Sequence, residues 1–280
     1  MKVGVFTAIF HDRSFEEALK FVSGIGCETV EIAAHPGDPH INLDRELVNR
    51  GADTKKAVSK YKLGISSLSG HANHLAVDPA KRKTINENFK KAVDLASALG
   101  VPVVNTFAGA QAPEWDEDRT FKEFGESMGD LVDHASSRNV KIGVEVHWGS
   151  AVYNIPRIER MFKTVPSKTL GLNYDPSHFV WQMIDYKTPV EKFGDRIYHV
   201  HAKDTEILRD RLSRDGVNAK GWWRFRVPGE GLIDWTELGH KLKEAAYANA
   251  LSMEHEDPVY SPEEGVTRGV KHLKGTAAKA

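Results

Sequence analysis

Cysteine is nearly missing from this chain. Cys27 is the only one among 280 residues, so no intrachain disulfide can form, and a reducing, cytoplasmic setting is expected. Cys27 has no activating base close in sequence and precedes the apolar run at Thr29–Ile32, which reads as a small buried residue. An excess of one charge is also missing. Lys and Arg number 38 against 39 Asp and Glu, a formal net charge of −1. No long basic run occurs, and Lys81-Arg82-Lys83 reads as a solvated helix face, so neither nucleic acid nor an anionic membrane is expected as a partner. No stretch approaches the ~18 apolar residues of a membrane span. The first residues enter a strand without a basic, then apolar leader, so no signal peptide is expected. No linker rich in Gly, Pro or Ser divides the chain.

What remains is an ordinary globular composition, 40% hydrophobic and 28% charged, long enough for a sizeable core. Short apolar or β-branched runs alternate with longer helical patterns. The runs are Val3–Phe6, Thr29–Ala33, Gly64–Leu68, Pro102–Phe107, Lys141–His147, Leu170–Tyr174, Ile197–His201 and Ala250–His255. Between them, Thr84–Leu99 repeats Ile85, Phe89, Val93, Ala96 and Leu99 at helical spacing, and Gly100 stops it. Ser14 with Glu17 has the form of a capping box. Eight strand–helix alternations predict an α/β protein, a single (β/α)₈ TIM barrel over residues 1–280. A doubly wound open sheet competes, but Thr7–His11 after the first strand lacks the glycine-rich turn such a sheet usually carries. One segment breaks the rhythm: residues 205–234 are long for a βα loop and hold two tryptophans and several arginines. They predict an active-site insertion over the C-terminal mouth. There Trp222, Trp223, Arg224 and Arg226 can stack on and bond to a sugar, or the tryptophans can pack the insertion or a subunit interface.

Barrel active sites lie at the C-terminal strand ends. The last four runs end in GVEVHWG, LNYDPSH, HVHAKD and SMEHEDP. Alternation sets Glu145 opposite Val144 and Val146, and puts His199, His201 and Lys203 on one face. A polar face inside a barrel is costly unless it binds something. One divalent metal held by Glu145, Asp175, His201 and Glu254 resolves that cost. Three carboxylates and one imidazole form a hard donor set, favouring Mn²⁺, with Mg²⁺ or Co²⁺ as alternatives, over a thiolate zinc site. His147 shares a face with Glu145. His71 and His74 crowd the end of the third strand, with His71 read as a substrate contact. Glu31 and Asn105 are further candidates to touch substrate. Taken singly, each residue has a bland reading as a solvated or core group; recurrence at four successive strand ends favours function.

At NYDPSH, HVHAKD, PGEGLIDW and SMEHEDP the chain resembles the xylose-isomerase-like sugar isomerase/epimerase superfamily, which includes ketose 3-epimerases and inosose dehydratases. The resemblance runs from KVGVFTA to about Ser261. It implies Glu145, Asp175, His201 and Glu254 as metal ligands, and substrate contacts at His178 and at Arg209 or Arg211. It also implies a metal-dependent sugar isomerase or epimerase acting on a ketose or keto-sugar through an enediolate, with Glu145 and Glu254 exchanging the proton. The sequence departs from the epimerase pattern at His147, at the long aromatic insertion and at His71 and His74. These resemble a lyase branch acting on 3-keto-glycosides, as in C-glycoside deglycosidases, or inosose dehydratases, with His147 as a base. The resemblance further implies a homo-oligomer, most simply a homodimer, with a second subunit as a variant. An AP-endonuclease-like nuclease or a metal-free binding barrel are the competing classes; the neutral charge counts against the first.

Overall fold

The computed structural model describes residues 1–279. Eight parallel strands close into a barrel, and each sequence run marks one of them. They are β1 (Lys2–Phe6), β2 (Thr29–Ala33), β3 (Gly64–Ser69), β4 (Val103–Phe107), β5 (Lys141–Glu145), β6 (Leu170–Tyr174), β7 (Ile197–Ala202) and, after a hairpin of β8 (Asp204–Ile207) and β9 (Trp223–Arg226), β10 (Ala250–Met253). The order around the ring is β1-β10-β7-β6-β5-β4-β3-β2. The barrel is a single TIM barrel of the α/β class.

Two strands stop earlier than their sequence runs. β5 ends at Glu145 because the chain turns at once: the His147 N–H donates to Val152 O at 3.2 Å, and Ser150 N–H to His147 O at 2.9 Å. β10 ends at Met253, so Glu254 and His255 stand on the loop above the ladder. The helix expected from Thr84 begins earlier, at Pro79. Asp78 caps it through Ala80 N–H (2.8 Å) and Lys81 N–H (3.3 Å), a bond set that stabilises by about 1 kcal/mol. Gly100 ends it at φ +74°, a left-handed conformation that disfavours side chains. The Ser14–Glu17 capping box is formed.

Alternation divides the strands into two environments. Val3, Val5, Val30, Ile32, Leu68, Val104, Ile142, Val144, Leu172, Val200 and Leu251 belong to the apolar core shared with the surrounding helices. The alternate positions point into the lumen, and they are mostly polar: Glu31, Ser67, Ser69, Asn105, Glu145, Asn173, His199, His201 and Ser252, all buried. They sit side by side around the ring, with Glu31 opposite Ser67, Ser69 opposite Asn105, Glu145 opposite Asn173, Asn173 opposite His199, and His201 opposite Ser252.

The insertion is ordered. β8 and β9 pair antiparallel, from Asp204 opposite Arg226 to Ile207 opposite Trp223, with the helix Arg209–Asp215 between them. Asp204 anchors the return path to the barrel. Its carboxylate accepts from Thr205 N–H (2.8 Å), Gly229 N–H (3.1 Å), Ile233 N–H (3.1 Å) and Trp235 Nε1–H (3.0 Å). A side chain at Gly231 would collide with Asp204 Oδ1, so this glycine of PGEGLIDW makes room for the clamp. Among the described residues no helix is long and apolar enough to cross a membrane.

Candidate metal centre at the barrel mouth

Four neighbouring barrel strands bring Glu145, Asp175, His201 and Glu254 together. One donor atom from each lies within 4.8 Å of the other three. His201 Nδ1 is 3.3 Å from Glu145 Oε2 and 3.2 Å from Glu254 Oε2. His178 Nε2 stands 3.3 Å from both Glu145 Oε1 and Asp175 Oδ2. Lys203, itself buried, puts Nζ 2.8 Å from Glu254 Oε2 and 3.1 Å from Asp175 Oδ2. Its role is thus a charge partner of two of the proposed ligands.

The electrostatics follow from packing three carboxylates into a buried cage. Burial pushes Glu145 up, but the His201 charge and hydrogen bonds from His178, His201 and His71 outweigh it, and the carboxyl is held well below the usual range. Glu254 is also raised by burial and lowered more strongly by His201 and Lys203, to about 2. Conversely, burial opposes charge on His201, and Glu254, Glu31 and Glu145 overcome it and raise its pKa well above the ordinary value. Both glutamates are therefore carboxylates at neutral pH, in a cage that draws positive charge. Asp175 Oδ2 is buried and accepts no well-aligned hydrogen bond, although Lys203 is near. Three carboxylates, one with an oxygen left over, around an imidazole nitrogen whose hydrogen a metal would replace, fit a divalent cation.

The remaining candidates separate into those at the cage and those away from it. His71 Nε2 lies 2.9 Å from Glu145 Oε2, and its ring packs 4.5 Å from Phe107. His147 is half-buried, 4.7 Å from the His178 ring and stacked on Trp148. Burial, followed by the His178 charge, lowers its pKa to about 4, so the ring is neutral. Its Nδ1 accepts from Gly149 N–H at 3.1 Å, which places the hydrogen on Nε2. His74 is not at the mouth. It bonds Asn86 and Thr106, both at 2.8 Å, and is a packing residue. Arg209 and Arg211 lie exposed on the insertion helix, where Arg211 bonds Gly221 O. Arg226 is committed to Asp257 (2.8 Å), Glu206 (2.9 Å) and Glu230. Trp223 stacks on Trp181 at 4.7 Å.

The insertion residue that reaches the cage is Phe225, which the sequence reading missed. Its ring lies edge-on to His178 at 5.4 Å, with Lys203 Nζ 4.4 Å from its centroid. Period-two alternation in β9 pairs Phe225 with Trp223, so the signal was present. Asn173 was also missed. It donates to Glu145 Oε2 at 3.3 Å from the adjacent strand. Glu31 and Asn105 are fully buried below the cage and bond to each other, which removes them from the substrate-contacting set.

The profile of the xylose isomerase-like TIM barrel family matches residues 19–276. The chain belongs to that family. Among its relatives, an inosose dehydratase of Salmonella typhimurium (strain LT2) is 28% identical, with 94% of this chain and 88% of the relative covered. The uncharacterized protein YfiH of Bacillus subtilis (strain 168) is 28% identical over all of both chains. Of solved structures, an IolI protein with a bound zinc atom superposes with a TM-score of 0.79 at 21% identity, covering 100% of this chain and 99% of that one. Inosose dehydratases are thus among the relatives of this chain, and the superposition on the IolI protein agrees with the barrel fold.

Proposed function

We propose that the chain is a divalent-metal-dependent sugar isomerase or epimerase acting on a ketose or keto-sugar. The observation that carries this reading is the cluster itself: donor atoms of Glu145, Asp175, His201 and Glu254, from neighbouring barrel strands, within 4.8 Å of one another. These four residues would hold the metal. The oxygen-rich set suits Mn²⁺ first, with Mg²⁺ or Co²⁺ as alternatives, and zinc, as in the IolI neighbour, also takes such ligands. A bound divalent cation would polarise a substrate carbonyl and acidify the adjacent C–H.

The chain's own groups supply the proton transfer. Glu145 and Glu254 stand on strands three apart around the ring, and both are ionised. One takes the proton from the carbon; the other, after gaining a proton from solvent, gives it to the opposite face of the same carbon and inverts the centre, whereas return by the first glutamate to the neighbouring carbon, with the hydroxyl proton shifting between the two oxygens, isomerises the sugar. His178 and Asn173 hold the Glu145 oxygens in place. Phe225 walls the site toward the insertion and keeps water from the reacting carbon.

A second reading, dehydration of an inosose or elimination from a 3-keto-glycoside, is favoured by the inosose dehydratase relatives and by His147, whose Nε2–H would hold a departing hydroxyl. NMR in D₂O on ketoses, inososes and 3-keto-glucosides, with metal-loaded and chelator-treated protein, separates the two. Metal-dependent deuterium uptake beside the carbonyl with every substituent kept supports the isomerase. Loss of water or an aglycone replaces it with the lyase. No exchange in any substrate rejects both.

A further inference from the structure

Below the cage, Glu31 enters the lumen from β2, which only β1 separates from β10 around the ring. It is fully buried, and so are all its partners. Its Oε1 accepts from Asn105 Nδ2 at 3.0 Å and from the Ser69 hydroxyl, and lies 3.0 Å from His201 Nε2. Its Oε2 accepts from Ser252 Oγ at 2.6 Å. A carboxylate only accepts, so the Glu31 contact holds a hydrogen on His201 Nε2, and a cation in the cage would take the place of the hydrogen on Nδ1. That nitrogen is the one facing Glu145 and Glu254.

We propose that Glu31 is a positioning residue for the metal centre: it fixes the His201 ring and its tautomer so that Nδ1 is presented as a ligand. The inference rests on the metal reading above. A rival account of the same residues is that Glu31, His199 and His201, whose donor atoms also lie within 4.8 Å of one another, hold a second ion. The hydrogen-bond directions oppose it. The lone pairs of Glu31 already receive hydrogens from Ser69, Asn105, Ser252 and His201, and a cation would have to displace them. His199 is also turned the wrong way. Asn173 donates its amide N–H to Glu145, which directs its carbonyl oxygen at His199 Nδ1, 3.2 Å away. His199 Nδ1 therefore carries hydrogen, and it is this nitrogen that faces Glu31, at 3.8 Å. The lone pair of His199 is on Nε2, which accepts from the hydroxyl of Ser67 at 3.1 Å, while the Ser66 hydroxyl nearby, 3.3 Å away, gives its hydrogen to Val30 O. The lower layer thus orients the upper one and has no room for an ion of its own. Carboxylates behind a ligating imidazole typically strengthen metal binding by 10–100-fold.

Zinc titration against a chromophoric chelator, on wild type, Glu31→Gln and Ser252→Ala, tests the assignment, joined by long-range ¹H–¹⁵N spectra of the zinc-loaded imidazoles. The expected result is one zinc per chain in all three. Affinity should fall about 10–100-fold in Glu31→Gln and by less in Ser252→Ala. The wild-type His201 ring should be bound through Nδ1 with hydrogen on Nε2. Unchanged affinity in Glu31→Gln overturns the proposal, as does a second wild-type ion that Glu31→Gln loses. Should Glu31→Gln not fold, unchanged affinity in Ser252→Ala, or ligation of wild-type His201 through Nε2, overturns it instead. A wild type that binds no zinc overturns the metal reading beneath it, a separate failure visible in the same titration.

Discussion

The two halves of the barrel use the same geometry for opposite ends. In the half formed by β1 to β4, the lumen residues are one carboxylate, Glu31, with Ser67, Ser69 and Asn105, and the carboxylate is surrounded by donors. In the half formed by β5, β6, β7 and β10, carboxylates face carboxylates around one imidazole, and an oxygen of Asp175 is left without a hydrogen bond. A carboxylate surrounded by donors belongs to the scaffold, and carboxylates that face one another make a site. That contrast separates structure from chemistry more clearly than residue type does, since both halves hold buried glutamate.

Substitutions in the second half should therefore cost reaction, and those in the first half, apart from Glu31 behind His201, should cost stability. The largest effect is expected for Glu145→Gln and Glu254→Gln. Each should lower the rate of metal-dependent exchange about 10²–10⁴-fold while leaving the thermal midpoint near wild type. A loss of folding with little loss of rate per folded molecule would reverse the contrast. Next is Asp204→Ala, in the insertion. It strands four donors, and urea unfolding should show a loss of about 3 kcal/mol. An unchanged urea midpoint would mean that the clamp is incidental.

The first half should also carry acid sensitivity. Burial lowers His74 to about 4, so the folded chain keeps it neutral while the unfolded imidazole titrates near 6.5. Between those values the unfolded state binds the extra proton. Stability from this residue is thus fully present above about pH 6.5 and is lost as pH falls toward 4, by about 2 kcal/mol at pH 5. His74→Gln should flatten that part of the stability profile without altering the pH dependence of the reaction. The smallest effect is expected for Asn105→Ala, about 1 kcal/mol of stability, because Glu31 keeps its other donors. A loss of exchange activity as large as that of Glu254→Gln would place Asn105 in the site after all.

Much of this was legible in the sequence. Period-two alternation around Glu145 and His201 identified the inward face, and four successive strand ends rich in carboxylate and imidazole identified the mouth. Local patterns carry that information because a strand's faces are fixed by its own residues. What could not be read were meetings between distant segments. Ser252 reaches Glu31 across 221 positions, and His201 reaches it across 170. Nothing near Glu31 says that it points at a histidine instead of a substrate. His74 looked like His71 in sequence, but the loop turns it toward Asn86 and Thr106. The arginines of the insertion were conspicuous by charge, yet the helix Arg209–Asp215 holds Arg209 and Arg211 out in solvent, and Phe225 makes the contact.

The central claim is that one divalent ion sits where the second half of the barrel converges. Anomalous diffraction at the metal edge, from crystals grown with Mn²⁺ or Zn²⁺, tests it most directly. One peak per chain is expected, about 2.0–2.3 Å from oxygens of Glu145, Asp175 and Glu254 and from His201 Nδ1. No peak there, or a peak held by Glu31 and His199, would contradict it.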